Sequence, residues 1–304
     1  MIKEKGGITM KAIEALGLTK MYHKKAAVDH IDLIVEEGEI YGFIGPNGAG
    51  KSTTIKTLLN FIYPTSGSAS ILGLDCVKES QSIKKQVSYV SSDVRFYPAM
   101  NAMQIMKYVA DFHNLKNAKP IINHYFDYFE IDPKKKLGEM SLGNKKKVAV
   151  VSGLIANPRM MILDEPTNGL DPLMQHRLFE VLKEKNQKGM TLFLSSHDLT
   201  EVQRYCSKAA FIKEGKIISI EDITADRIAG KVVELVGNNL PKEKFIAIGA
   251  KLIQQSDRQL KFFYNGDMQI LLPLLINSEI KDVLIKNQEL EDKFMTMYEK
   301  GALQ

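Results

Sequence analysis

The chain has 304 residues, 44% of them hydrophobic and 25% charged, with a formal net charge of +5 and a pI near 8.9. Such a length suggests about two domains, and this composition is that of a soluble globular protein, not of a disordered or fibrous one. The two cysteines, Cys76 and Cys206, have no metal-ligand spacing and read as reduced thiols in a cytosolic protein, and no apolar run approaches the roughly 18 residues that cross a bilayer.

Residues 1–10 read as a loose tail. Lys11–Leu18 and Ala27–Val35 alternate apolar and polar residues as half-buried strands do. Glu39–Ile44 (EIYGFI) is a short apolar strand that runs into GPNGAGKST, Gly45–Thr53. This stretch fits the P-loop pattern G-x-x-x-x-G-K-[ST]. Gly45, Gly48 and Gly50 let the backbone turn tightly and bring N–H groups against phosphate oxygens, with Pro46, Asn47 and Ala49 completing the cradle. The segment that follows has helical spacing, so its N-terminus would also face the anion. Lys51 can reach the β- and γ-phosphates; the Ser52 hydroxyl is placed to bind Mg²⁺, and Thr53 closes the motif. A P-loop alone leaves kinases, GTPases and helicases open.

Gly67–Leu72 and Ser88–Ser91 read as short strands, and Met100–Ile131 as helical, with aromatic residues expected in the core. Met160–Leu163, Met190–Ser196 and Lys208–Ile220 are strand-like runs with helical stretches between them. Such alternation predicts an α/β fold of the P-loop NTPase kind, with a mixed, mostly parallel sheet and a helical lobe at about 90–157. The composition shifts after Ile220. Strands are expected at Val232–Val236 and Asp282–Lys286, a hairpin at Lys251–Gln255 and Gln259–Tyr264, and helices at Asp267–Leu275 and Glu289–Lys300. The order βαββαβ predicts a small α+β, ferredoxin-like domain. The expected organisation is thus a tail (1–10), a nucleotide-binding domain (11–220) and an accessory domain (221–304).

A second motif narrows the chemistry. Met160–Glu165 reads MMILDE, a buried strand ending in two acids. Asp164 can hold Mg²⁺ and Glu165 can polarise an attacking water as general base. Ser195–Asp198 (SSHD) follows the next strand, where His197 could reach a γ-phosphate.

Together GPNGAGKST, MMILDEPTNGLD (Met160–Asp171) and SSHD resemble the ATP-binding cassette family, the nucleotide-hydrolysing subunits of ABC transporters, over about residues 11–220. By that resemblance Tyr22 stacks on adenine, Val28 lies beside the sugar, and Asp171 joins the nucleotide site. The family's LSGGQ signature is MSLGN here (Met140–Asn144), in which Ser141 and Gly143 keep the groups expected to touch the γ-phosphate of the opposite subunit. The glutamine that helps bind the metal is replaced by Ser92, with Asp93 beside it. Both departures, and the terminal LEDKFMTMYEK (Leu290–Lys300), resemble the ABC-2-type exporters of drugs and bacitracin-like antimicrobial peptides.

The resemblance implies ATP and Mg²⁺, and a dimer with an identical chain or a paralogue that sandwiches two ATPs. It also implies an integral-membrane permease, which alone touches the exported peptide or drug, and a place at the cytoplasmic face of the membrane. No nucleic-acid partner is expected. The alternative is a soluble ATPase switch of the same family, uncoupled from transport. The clusters Lys134–Lys136 and Lys145–Lys147 read as solvated helix ends, or as a surface for anionic lipid.

Overall fold

The computed structural model describes residues 10–223, 230–276 and 279–287. The chain divides into two compact units, Met1–Glu221 and Asp222–Gln304.

The first unit carries two sheets. Strands β1 (Lys11–Tyr22), β2 (Lys25–Glu36), β4 (Ser66–Ile71) and β5 (Leu74–Asp75) pair antiparallel in the order β2-β1-β4-β5. The second sheet has the order β10-β9-β3-β8-β7-β6. Its members are β3 (Ile40–Ile44), β6 (Val87–Val90), β7 (Met160–Asp164), β8 (Thr191–Ser196), β9 (Lys208–Lys213) and β10 (Lys216–Asp222). The pairs β3–β8, β3–β9, β6–β7 and β7–β8 are parallel. The parallel pairing expected from alternating strands and helices is therefore confined to one sheet, and hairpin-connected strands form the other.

β7 and β8 are buried at every position, which is why they read as continuous apolar runs and not as alternating ones. The predicted strand Lys208–Ile220 is broken by a two-residue turn at Glu214 and Gly215, both with positive φ (50° and 83°), the geometry of a tight hairpin connection.

Helix α1 (Lys51–Leu58) leaves the P-loop, and α2 (Ser80–Lys84) precedes β6. The lobe comprises α3 (Ala102–Phe112), α4 (Lys119–Tyr128) and α5 (Leu142–Ile155). A capping box starts α3: the Asn101 side chain accepts from Gln104 N and the Gln104 side chain accepts from Asn101 N. The expectation that the lobe's aromatics are core residues holds only in part. Tyr125, Phe126 and Phe129 are buried, whereas Tyr108 and Phe112 are largely exposed. Helices α6 (Pro172–Gln187) and α7 (Leu199–Tyr205) flank β8 in the chain.

In the second unit β11 (Lys231–Gly237), α8 (Lys242–Ala247), β12 (Lys251–Gln255), β13 (Gln259–Tyr264), α9 (Met268–Ile276) and β14 (Ile280–Asn287) follow one another. The sheet order is β12-β13-β11-β14, with all pairs antiparallel. This is the ferredoxin-like arrangement. Val233, Leu235, Phe245, Leu260, Phe262 and Leu271 build its core. Helix α9 persists although Pro273 lies within it, at the expense of one backbone hydrogen bond. The helix expected at Glu289–Lys300 lies outside the described residues.

The first unit's core centres on Phe193, fully buried and packed against Tyr41 and Phe43 at ring-centroid distances of 6.0 and 5.5 Å. Phe193→Ala is expected to destabilise the protein by about 3–5 kcal/mol, read as a lowered midpoint in thermal unfolding.

Candidate active site

Parallel register assembles the site. Ile44 lies beside Ser196, and Asp164 beside Ser195. The ends of β3, β7 and β8 therefore finish side by side, at the carboxyl edge where open α/β sheets bind ligands.

The P-loop begins at the end of β3. Gly45 N donates to Ser196 O at 3.3 Å, and Gly215 N donates to Ala49 O at 2.9 Å, which anchors the loop to β8 and to the β9–β10 turn. Gly50 takes φ 109°, and a Cβ there would stand 2.4 Å from Ala27 O, so only glycine fits. Pro46, Asn47 and Gly48 are exposed, as a phosphate-binding loop requires, while Ala49 is buried. Ser52 and Thr53 are half-buried in the first turn of α1.

Lys51 is buried, and its Nζ donates to Gly45 O (2.6 Å) and Pro46 O (3.3 Å). It also stands 3.0 Å from Glu165 Oε1. That approach is not aligned as a hydrogen bond, and Oε1 is a buried oxygen with no hydrogen-bond partner. The other oxygen, Oε2, lies 2.7 Å from His197 Nδ1. A carboxylate only accepts, so the shared proton sits on Nδ1. Glu165 has φ 49°, a left-handed conformation uncommon for a non-glycine residue.

Asp164 has no solvent exposure. Its Oδ1 accepts from Ser195 Oγ at 2.6 Å and its Oδ2 from Ser92 Oγ at 3.0 Å. Ser92 thus reaches the acidic strand directly, whereas Asp93 pairs with Arg95 at 2.7 Å on the surface. His197 is set by its own loop. Ser196 Oγ donates to Glu201 Oε2 (3.1 Å) and accepts from Asp198 N (2.9 Å), and Asp198 caps α7. Burial raises the Glu201 carboxyl, against hydrogen bonds from Thr167 and Ser196 that lower it.

Lys51, Ser92, Asp164, Glu165 and His197 are joined by these contacts. Gly45 and Pro46 join that array through Lys51, and the expected site residues outside the P-loop are held by other contacts. Tyr22 ends β1 half-exposed, with Lys20 Nζ 5.3 Å from its ring centroid. Val28 is fully buried in the core. Asp171 is the N-cap of α6 and accepts from Met174 N at 3.0 Å. Ser141 caps α5, accepting from Asn144 N at 3.3 Å, and stays exposed. A Cβ on Gly143 would fall 2.2 Å from Gly169 O, so the signature segment packs tightly on the PTNGLD loop of its own chain.

Two residues of the site escaped the sequence reading. Ser195 carried a signal, since a hydroxyl at the end of a fully buried strand must find a partner. Lys146 carried none. Lys134–Lys136 are exposed as expected, but Lys146 has no exposed surface and Lys147 is buried too. Two of the second cluster's three lysines are therefore turned inward, and only Lys145 keeps partial exposure.

The sequence model of the ABC transporter family matches residues 28–168. The bacitracin transport ATP-binding protein BcrA of Bacillus licheniformis is 36% identical over 222 residues, covering 71% of each chain. An uncharacterised ABC transporter ATP-binding protein of Bacillus subtilis, YcbN, is 30% identical over 300 residues, covering 94% of this chain and 96% of that one. Among solved structures, an ATP-binding subunit of an ABC transporter superposes with a TM-score of 0.67 at 27% identity, over 71% of this chain and 92% of that one.

Ser195→Ala is expected to cost about 1–3 kcal/mol of stability, because it leaves a fully buried carboxylate oxygen without its donor. Ser92→Ala should cost less, since Ser92 lies nearer water. Thermal unfolding of the two variants checks the ranking.

Proposed function

Since the chain belongs to the ABC transporter family, as one of its ATP-binding and ATP-hydrolysing subunits, we propose a division of labour among its residues and a role in export. Subunits of this kind dimerise and work with transmembrane permease components. The reading rests on one observation above others: Lys51, Glu165 and His197 form a continuous array over the mouth of the P-loop.

ATP would lay its phosphates along Gly45–Thr53, against the N–H groups of the loop and of α1. Lys51 already stands beside Glu165, and a triphosphate would draw its ammonium onto the β- and γ-oxygens. Glu165 then keeps its bond to His197 and has Oε1 available to accept a proton from the attacking water. His197 would meet the γ-phosphate through its other ring nitrogen, which donates to a phosphate oxygen only in the imidazolium form. Tyr22 would cover the adenine; a stacked base is worth about 1–3 kcal/mol in nucleic-acid binders.

The residues present fit Mg²⁺. It prefers hard oxygen ligands and keeps several waters, needing only one or two protein groups besides the phosphates. Ser52 and Asp164 would hold it, with Ser92 beside Asp164 at 3.0 Å. When bound, the ion neutralises charge that builds on the phosphate oxygens.

Ser141 and Gly143 would complete the site of a second cassette, identical or paralogous, so that ATP contacts both halves only when they close. Nucleotide thereby shifts the population toward the closed pair. Among the described residues no helix is long and apolar enough to cross a membrane. The permease would hold the subunit at the cytoplasmic face. Its seat would be the cavity of about 660 Å³ lined by Arg95, Tyr97, Met100, Ile105 and Tyr108, which opens three residues beyond Ser92. The name of the Bacillus licheniformis relative supports an antimicrobial peptide or hydrophobic drug as the exported compound.

Glu165→Gln is expected to lower kcat at least about 100-fold while ATP still binds; undiminished steady-state hydrolysis would contradict the assignment. Lys51→Ala should weaken ATP binding by about tenfold or more, and equal affinity in a titration counts against the cradle. Ser141→Arg placed in one chain of a dimer should silence the site of the other, which mixed dimers that keep both sites active would disprove.

A further inference from the structure

Lys146 lies in α5, five residues beyond the Ser141 cap, and is wholly enclosed. Its Nζ donates to three main-chain carbonyls: Ser91 O at 2.9 Å, Ser92 O at 3.2 Å and Glu165 O at 3.1 Å. An ammonium has three donors, so it is fully satisfied without touching a carboxylate. Burial lowers the Lys146 ammonium to about 8, against the pull of Asp164, Glu165 and Asp93 in the opposite direction. Packing alone does not call for such a group, since a methionine fills nearly the same volume with no desolvation cost.

The three carbonyls belong to the two segments that hold the reacting groups. Ser91 and Ser92 follow β6, and the Ser92 hydroxyl rests on Asp164. Glu165 follows β7 in a left-handed conformation that needs support from its surroundings. That support is visible at both ends of the residue. Its N–H donates toward Ser195 O (3.2 Å) and Ser195 Oγ (3.1 Å), and its C=O receives Lys146. The lysine is the only one of these supports that comes from the helix beginning at the signature.

We propose that Lys146 is a positioning residue for hydrolysis, tying the helix that starts at Ser141 to the main chain on both sides of Asp164. The orientation of the Glu165 carboxylate thereby depends on where that helix sits. An event at Ser141, such as contact with the nucleotide of a partner cassette, is then transmitted over about one and a half helical turns to the residue that accepts the proton. The inference rests on Glu165 being the general base.

The test is steady-state ATP hydrolysis and nucleotide titration on the full chain. Lys146→Met, which keeps the volume and removes the donors, should lower kcat about 10- to 100-fold, as a small misplacement of a reacting group does. The KM for ATP should stay near wild type, while the unfolding midpoint should fall, because three carbonyls lose a donor. Lys146→Gln, with two N–H donors for three carbonyls, should fall between Met and wild type. In a Glu165→Gln background, Lys146→Met should cause no further loss of residual turnover, because both changes act through one group. The proposal is overturned if folded Lys146→Met keeps wild-type kcat. It is equally overturned if both variants lose affinity and turnover together, or if the losses with Glu165→Gln add. Should Lys146→Met fail to fold, Lys146→Gln decides: reduced kcat at unchanged KM supports the proposal, and unchanged kcat ends it. If Glu165→Gln itself turns over normally, the base assignment fails independently of Lys146.

Discussion

Asp164 has no contact with solvent, and a carboxylate in such a place must have its oxygens bonded or leave the fold short of several kcal/mol. Two hydroxyls meet that demand, one from β8 and one from the segment after β6. Each bond holds a neighbour of β7 in register. Because Ser195 pairs with Asp164 in the ladder, β8 cannot slip against β7 without stranding the carboxylate. Residues just past these strands inherit that precision: Glu165 after β7, His197 after β8, and Gly45 after β3, whose N–H binds Ser196 O.

The residue next to Asp164 shows what the constraint makes possible. Glu165 holds a backbone conformation that a free chain would seldom visit, and it does so because its N–H and its C=O are both bonded to fixed neighbours. Its carboxylate is drawn between a lysine and a histidine. A buried ion pair of this kind contributes little to stability for its desolvation cost. It places a cation and a base where an anionic substrate would separate them, which suits a site that must change partners when nucleotide enters.

The second unit is built on different principles. Its strands are all antiparallel and its core is independent, with Phe245 and Phe262 stacked at a centroid distance of 4.7 Å. It contains no part of the P-loop array. The full-length similarity to the Bacillus subtilis protein places a matching segment in at least one relative, so the unit accompanies the cassette and is not an accident of this chain.

Much of this was legible in the residues. Gly45–Thr53 determines a phosphate loop by itself, because its geometry is local and needs glycine at positions such as Gly50. The apolar run ending in Asp164 and Glu165 could be read likewise, and so could the βαββαβ order with its hairpin at Lys251–Tyr264, since period-two patterning and turns act over a few residues. Tertiary structure alone decided the roles of residues whose partners lie far along the chain. The burial of Val28, the helix cap made by Asp171 and the split of the lobe's aromatics into exposed and buried ones could not be read from residue types. Lys146 was one lysine in a run of three, and only the packing of α5 against the ends of β6 and β7 turned it inward. Charge in sequence says nothing of burial when carbonyls more than a dozen residues away supply the compensation.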